Sequence, residues 1–236
     1  MSVYAISDLH LTNSSDKPME VFGGNWENYY EKVVADWQSK VKEEDIVLIA
    51  GDISWAMTTQ NAKVDFDELA KLNGKKVIIK GNHDYWWGSY SKVKKMLPEG
   101  FFAIQNNAVK IGNCVFCGTR GWVTTTSVIE GNEKSLQDYN IYQRELIRLR
   151  LSLDNAKNLR SEGDVLILLT HFPPFNAKFE NSPFTDIINE YKVDKVVYGH
   201  LHGDDCRAEL EVNKGNVTYY LTSCDKVNNK LVLIEK

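Results

Sequence analysis

The sequence predicts an α/β protein, a sheet carrying helices on its faces. Short apolar runs alternate with amphipathic stretches of helical period along most of the chain. At least five of those apolar runs end within about two residues in Asp, His or Asn. With 236 residues and 43% hydrophobic content, the chain is long enough for one large core. It shows no linker, repeat or low-complexity stretch, so a single domain over 1–236 is expected.

In order, Val3 to Ser7 reads as a buried strand that runs into Asp8-Leu9-His10. A helix over about residues 27–41 carries Tyr30, Val33, Val34 and Trp37 on one face and leads to a strand over 46–50, which ends in Gly51-Asp52. A second helix, about 61–72, leads to Val77-Ile78-Ile79 and then to Gly81-Asn82-His83-Asp84. Residues 101–118 hold strand pieces around Phe102, Val109 and Val115, separated by Asn- and Gly-containing turns. The polar stretch 121–140 predicts a long loop, and a strong helix follows over about 138–160, bearing Leu146, Leu149, Leu153 and Ala156. The strand at 165–169 runs into Thr170-His171, and the strand at 196–198 runs into Gly199-His200-Leu201-His202. Segments 217–221 and 231–234 read as closing strands.

Charge and composition narrow the function classes. A net charge of -4 argues against a basic surface for nucleic-acid polymers or anionic membranes. No apolar stretch approaches the ~20 residues of a membrane span. MSVYAISDLH lacks the basic start and long apolar run of a signal peptide, so a soluble, cytoplasmic protein is expected. Cys114 and Cys117 could form a zinc knuckle with Cys206 and Cys224, but the Val-Phe between the first two reads as strand where a knuckle needs a tight turn. Reduced, partly buried thiols are the plainer expectation.

All five histidines, His10, His83, His171, His200 and His202, lie at strand exits. A lone histidine is more often structural than a ligand. Five at the ends where α/β sheets bind ligands point instead to one shared site. The side chains gathered there are Asp8, His10, Asp52, Asn82, His171, His200 and His202, with His83 and Asp84 beside them. Imidazole and carboxylate without cysteine suit Mn, Fe, Zn or Ni, with manganese expected first. Seven candidate ligands overfill one tetrahedral ion but suit two divalent ions with a bridging carboxylate. Two such ions against two aspartates and a hydroxide leave about one positive charge, which attracts an anion such as phosphate.

These segments, Asp8-x-His10, Gly51-Asp52, Gly81-Asn82-His83-Asp84, His171 and Gly199-His200-x-His202, resemble in type and order the motifs of the calcineurin-like metallophosphoesterases. The resemblance runs from residue 8 to 202. It implies a four-layer αββα sandwich of two mixed sheets flanked by helices. It also implies Asp8, His10, Asp52 and His202 on a first metal, with Asp52 bridging and Asn82, His171 and His200 completing the second. His83 would bind neither ion. It would donate a proton or hydrogen bond to the leaving or a non-bridging oxygen, with Asp84 bonding its other ring nitrogen. Trp55 stands where purple acid phosphatases have a tyrosine ligand, and GDISWAM and GNHD differ from the GDYVDRG and GNHE of phosphoprotein phosphatases. The chain is more similar to the small bacterial phosphohydrolases, a branch that includes cyclic-nucleotide and other phosphodiesterases.

The expected activity is therefore in-line attack of a metal-activated hydroxide on a small phosphate ester, a diester first and a monoester as the alternative. A catalytically silent scaffold should show replaced ligands, and a nuclease should show a basic surface; neither is seen. Trp55, Trp86, Trp87 and Trp122 either wall a site for a nucleobase or apolar leaving group, or pack over the ligands and exclude water. Trp55 and Trp86 are the candidate substrate contacts. Arg120 either clamps phosphate or braces its loop.

Overall fold

The computed structural model of the protein describes residues 1–13, 17–124, 132–203, 206 and 208–236. Among these, one sheet contains β1 (Val3–Ile6), β2 (Ile46–Ile49), β3 (Lys75–Ile79) and β4 (Phe101–Ile104). The other contains β5 (Ala108–Ile111), β6 (Cys114–Thr119), β7 (Val165–Thr170), β8 (Lys195–Tyr198), β9 (Glu211–Lys214) and β10 (Val217–Leu221). The last strand, β11 (Val232–Glu235), returns to the first sheet, giving orders β11-β1-β2-β3-β4 and β5-β6-β7-β8-β10-β9. Strands β1 to β4 pair in parallel with β11 antiparallel at the edge. In the second sheet β6, β7, β8 and β10 are parallel, while β5 and β9 form antiparallel edges. Both sheets are mixed.

The four-layer arrangement follows from the period of two in the strands. Val3 and Ala5 of β1, Ile46 and Leu48 of β2 and Val77 and Ile79 of β3 face Phe116, Ile167, Leu169 and Val197 of the second sheet, forming a dry layer between the sheets. The alternate residues Ile6, Val47, Ile49 and Ile78 face outward. They are covered by Val33 and Trp37 of α1 (Tyr29–Lys40) and by Ala62, Phe66 and Leu69 of α2 (Thr59–Ala70). A short helix, α3 (Tyr90–Met96), adds Val93 to the same layer. On the far side, Leu149, Leu153 and Ala156 of α4 (Glu133–Leu159) and Phe184, Ile187 and Ile188 of α5 (Pro183–Glu190) cover Leu166, Leu168 and Val196. The central strands read as unbroken apolar runs because both of their faces are buried.

The expected loop over 121–140 needs correction. Residues 125–131 lie outside the described residues, but α4 already begins at Glu133, five positions before the expected start at 138. The Asn132 side chain caps it by accepting from the Ser135 amide at 2.9 Å, and residues 133–140 are exposed or half-buried. Helices α3 and α5 and strand β9 are too short for a clear period, although Ser182-Pro183 with Thr185 forms a capping box for α5. All four cysteines are free; Cys114 and Cys117 lie inside β6, whose extended backbone sends them to different core layers. No helix among the described residues is long and apolar enough to cross a membrane.

Candidate active site

Each candidate ligand leaves a strand at its carboxyl end. Asp8 and His10 follow β1, Asp52 follows β2 and Asn82 follows β3, while His171 follows β7 and His200 and His202 follow β8. The site thus forms where the carboxyl edges of the two sheets meet. Backbone bonds lock the exits together: Asp8 N donates to Gly51 O at 3.0 Å, His10 N to Asp52 O at 2.9 Å and Gly199 N to His171 O at 3.2 Å. Asp8, His10, Asp52 and His200 all have left-handed backbone, with φ of 55°, 45°, 51° and 71°. For non-glycine residues such conformations cost on the order of 1–3 kcal/mol each and persist where function holds them.

The motif glycines have a direct role in this packing. A Cβ at Gly81 would lie 2.1 Å from Asp52 Oδ1, and one at Gly199 would lie 2.5 Å from Asp8 Oδ2. No other residue lets the chain pass this close to the carboxylates.

Two clusters of side-chain donors result. Ligand atoms of Asp8, His10 and His202 lie within 4.8 Å of one another, as do those of Asp8, Asp52 and His171. Asp8 belongs to both clusters, and Asp52 Oδ2 of the second lies 3.9 Å from His10 Nε2 of the first and 3.4 Å from His171 Nε2. Asn82 Oδ1 is 2.8 Å from His171 Nε2 and 2.9 Å from His200 Nδ1, so three ligand-type atoms converge. The other ring nitrogen of His171 lies 2.9 Å from Ala50 O, which turns Nε2 into the site.

Three atoms test whether metal fits. His10 Nδ1, His10 Nε2 and Asp52 Oδ2 are buried and have no hydrogen-bond partner among the described residues. Buried polar atoms are rarely left so. Lone pairs from imidazole and carboxylate, gathered at this edge, suit a divalent cation. The nearest thiol, Cys224, donates to Asp8 O instead, and burial pushes its pKa well up.

Protonation at His10 and His200 agrees with this use. Burial pushes the His10 pKa down to about 3. Burial, with the nearby His171, takes His200 to about 4. Both rings are neutral at physiological pH and keep a lone pair to offer. Burial opposes charge on Asp52, yet His171 beside it holds the carboxyl well below the usual range. Burial likewise opposes a proton on His171, but Asp52 and Asp8 outweigh it and raise the ring to about 9. Burial raises Asp8.

His83 stands at the edge of the ligand cluster. Its amide donates to Asp52 Oδ1 at 2.7 Å, and its ring packs 4.7 Å from Trp55. The expected Asp84 partner is not there: His83 Nδ1 lies 3.3 Å from the Tyr85 hydroxyl. Asp84 is fully buried and accepts from the amides of Ile53, Ser54 and Gly81 and from Trp86 Nε1. Its carboxylate ties the loop after β2 to the loop after β3, so it positions the ligands and does not orient the imidazole.

Trp86 is likewise corrected as a substrate contact. It is 1% exposed, packs on Phe66 and fixes Asp84, so it is core. Trp87 is also buried, which explains two large residues in succession at a strand exit. Trp122 packs on Phe172. Arg120 lies 3.9 Å from buried Glu145 and 4.6 Å over the Trp122 ring, while its carbonyl accepts the His171 amide. Its side chain lines a smaller polar cavity with Lys80 and Arg148, apart from the metal candidates.

Trp55 does line the site. It stacks on His10 at 4.9 Å and walls a cavity of about 340 Å³ that also reaches His83 and His202. The wall also includes Met19, Phe22, Asn25, Trp26 and Asp225, which were not anticipated from sequence. The first four lie in two short 3-10 helices before α1, Met19–Phe22 and Gly24–Trp26, too short to carry a period. Asp225 did carry a signal, since it follows the exit of β10 just as the ligands follow theirs.

A family model described as calcineurin-like phosphoesterase matches residues 1–204. The chain belongs to the calcineurin-like phosphoesterases. It is accordingly a metal-dependent hydrolase of phosphate esters. Among curated relatives, a probable cyclic nucleotide phosphodiesterase of Coxiella burnetii is 25% identical over 216 residues, covering 86% of this chain and 77% of that protein. A phosphopantetheinyl hydrolase from Mycobacterium tuberculosis shares the fold with a TM-score of 0.58 at 15% identity, over 99% of this chain and 95% of that one. A Thermus thermophilus protein does so with a TM-score of 0.60 at 13% identity, over 99% and 97%.

Proposed function

We propose that this calcineurin-like phosphoesterase hydrolyses a small phosphodiester at a dinuclear centre, with manganese as the working metal. The observation that supports it is the aromatic-walled cavity beside His10, His83 and His202, which offers room for an organic group next to the reacting phosphorus. The Coxiella relative, by its name, supports the same reading.

Asp8, His10, Asp52 and His202 would hold one ion, and Asp52, Asn82, His171 and His200 the other. The unpartnered Asp52 Oδ2, between His10 and His171, is the candidate shared ligand. Two divalent ions, when bound, supply Lewis-acid charge at phosphorus and a nucleophile from water at neutral pH. The chain's residues do the remainder. Trp55 covers His10 and excludes water from that side. Burial lowers the His83 pKa, so His83 enters as a neutral imidazole that donates N–H to an oxygen as charge builds there.

The test is relative turnover by the manganese-loaded protein. Bis-p-nitrophenyl phosphate should be cleaved with higher kcat/KM than p-nitrophenyl phosphate. A reversed order by ~10-fold would establish the monoesterase, and no turnover of any ester would establish a silent scaffold.

A further inference from the structure

The polar cavity that Arg120 lines with Lys80 and Arg148 lies next along the edge that carries the candidate ligands. Lys80 follows β3, Gln105 follows β4 and Arg120 follows β6. Thr119 and Thr170 are partners in the parallel pairing of β6 and β7, so Arg120 stands beside His171, one strand spacing of about 4.8 Å away. On the facing sheet Lys80 leads directly into Gly81-Asn82. By strand order, His10 and His202 of the aromatic-walled cavity leave β1 and β8, the cationic cavity gathers at β4 and β6, and ligands from β2 and β7 lie between.

Charge in this second cavity is out of balance. Among its described lining residues Glu145 is the one carboxylate, and it is fully buried. Its Oε2 accepts from the Thr119 hydroxyl and from the Gly121 amide at 3.1 Å, and its Oε1 accepts from Arg148 at 2.5 Å. Arg120 reaches that oxygen only at 3.9 Å, and its buried Nε has no hydrogen-bond partner among the described residues. Trp122, 4.6 Å from the guanidinium carbon, offers it a ring face and no acceptor atom. Lys80 gives one donor to Trp87 O at 3.3 Å and keeps two more. Asp84, in the same loop as Lys80, is taken up by three amides and Trp86 Nε1. Three cations against one carboxylate leave about two positive charges, in a chain whose net charge is -4. Burial and the like charges of Arg148 and Arg144 hold Arg120 below its usual pKa, against the pull of Glu145.

Size and charge narrow the occupant. A volume of about 150 Å³ is small for a whole ligand and suits one group of a larger molecule. Guanidinium forks bind oxyanions bidentately. A phosphomonoester brings about -1.5 to -2 charges at neutral pH and matches the excess, whereas a carboxylate brings one. We propose that Lys80, Arg120 and Arg148 bind a second phosphoryl group of the substrate, one that is not cleaved, and so select an ester with a terminal phosphate on one arm. This rests on the reading that the metal candidates serve hydrolysis of a small phosphodiester. One arm of the diester would then enter the aromatic-walled cavity, and the phosphate-ended arm the cationic one.

The probes are p-nitrophenyl phosphodiesters whose other arm, an alkyl chain graded in length, ends in phosphate or in hydroxyl. On the full manganese-loaded chain the phosphate-ended ester should have a kcat/KM at least ~10-fold higher at the best arm length, mainly through KM. Lys80→Gln leaves the pairs of Glu145 in place and should erase this preference with manganese uptake unchanged, and Arg148→Gln should do the same. Calorimetry on the metal-free chain should show Lys80-dependent, tighter binding of the phosphate-ended ester. Equal kcat/KM of both esters at every arm length in the wild type overturns the inference, whether or not the variants fold. A preference that survives in both variants also overturns it. So does Lys80-dependent binding of inorganic phosphate to the metal-free chain without any preference between the esters, which makes the cavity a site for a free anion. If the metal-free chain discriminates but neither ester is cleaved, the second phosphate site stands and the phosphodiesterase reading fails. If both esters are cleaved equally well, the reverse holds.

Discussion

Replacing Gly81 by alanine should loosen the metal site without touching a ligand. Gly81 does not have left-handed backbone, so alanine brings no φ strain. Its Cβ would nevertheless sit 2.1 Å from Asp52 Oδ1 and 2.2 Å from the Asp52 amide nitrogen. Ordinary contact begins more than about 1 Å further out. Flexible side chains could yield, but the backbone amide cannot, and Oδ1 is already held by the His83 amide at 2.7 Å. The Asp52 loop must move, taking Oδ2 away from its place between His10 and His171. Overpacking of this kind costs about 1–3 kcal/mol, and a misplaced ligand shell weakens metal by ~10–100-fold. At this chain length each kcal/mol lowers Tm by roughly 2–4 °C. Calorimetric manganese titration and thermal melts of the metal-free protein read both effects. Gly88→Ala is the internal control, because its Cβ meets only Lys92 Cδ and Thr59 Oγ1, both at 3.9 Å. Should Gly81→Ala bind manganese within about twofold of wild type and melt with Gly88→Ala, the close approach does not position Asp52, and the reasoning is wrong.

Wild-type protein should take up about two manganese ions per chain, and Asp52→Asn should weaken both together, because one carboxylate is shared. Elemental analysis showing one tight ion in the variant would reassign the bridge. With its pKa raised to about 9, His171 carries a proton in the metal-free protein at neutral pH. Its pairing with Asp52 stabilises that form fully below the unfolded pKa near 6.5 and is lost as pH rises through about 9, so the metal-free Tm should fall over this window. Over the same window metal affinity should rise by ~10-fold per pH unit, and a flat profile would show that this proton does not compete. His83→Ala should keep its metal while kcat drops ~10²–10⁴-fold, most for poor leaving groups; loss of metal would make His83 a ligand.

Much of the site was legible along the chain because its parts are local. A strand followed at once by a metal-binding type needs only neighbouring residues to be recognised, and Asp8, His10, Asp52, Asn82, His171, His200 and His202 all sit at such exits. The alternating strand and helix patterns likewise read out the sheets and their major helices, since period is a property of consecutive side chains. The beginning of α4 escaped because its first turns bury no side chain and carry no apolar stripe.

Roles that depend on distant partners were decided only by the tertiary structure. Asp84 stands next to His83 in sequence, but its four donors come from two loops and a tryptophan, and they turn its carboxylate inward. Trp55 and Trp86 look alike as residues near a ligand; one lies against His10 in the cavity and the other against Phe66 in the core. Asp225 meets Asn25 across 200 residues of chain and Gly203 across 22. Sequence determined which chemical groups this protein brings to its strand ends. Folding decided which lone pairs remain free there, because a hydrogen bond from a remote segment silences one carboxylate and leaves another open.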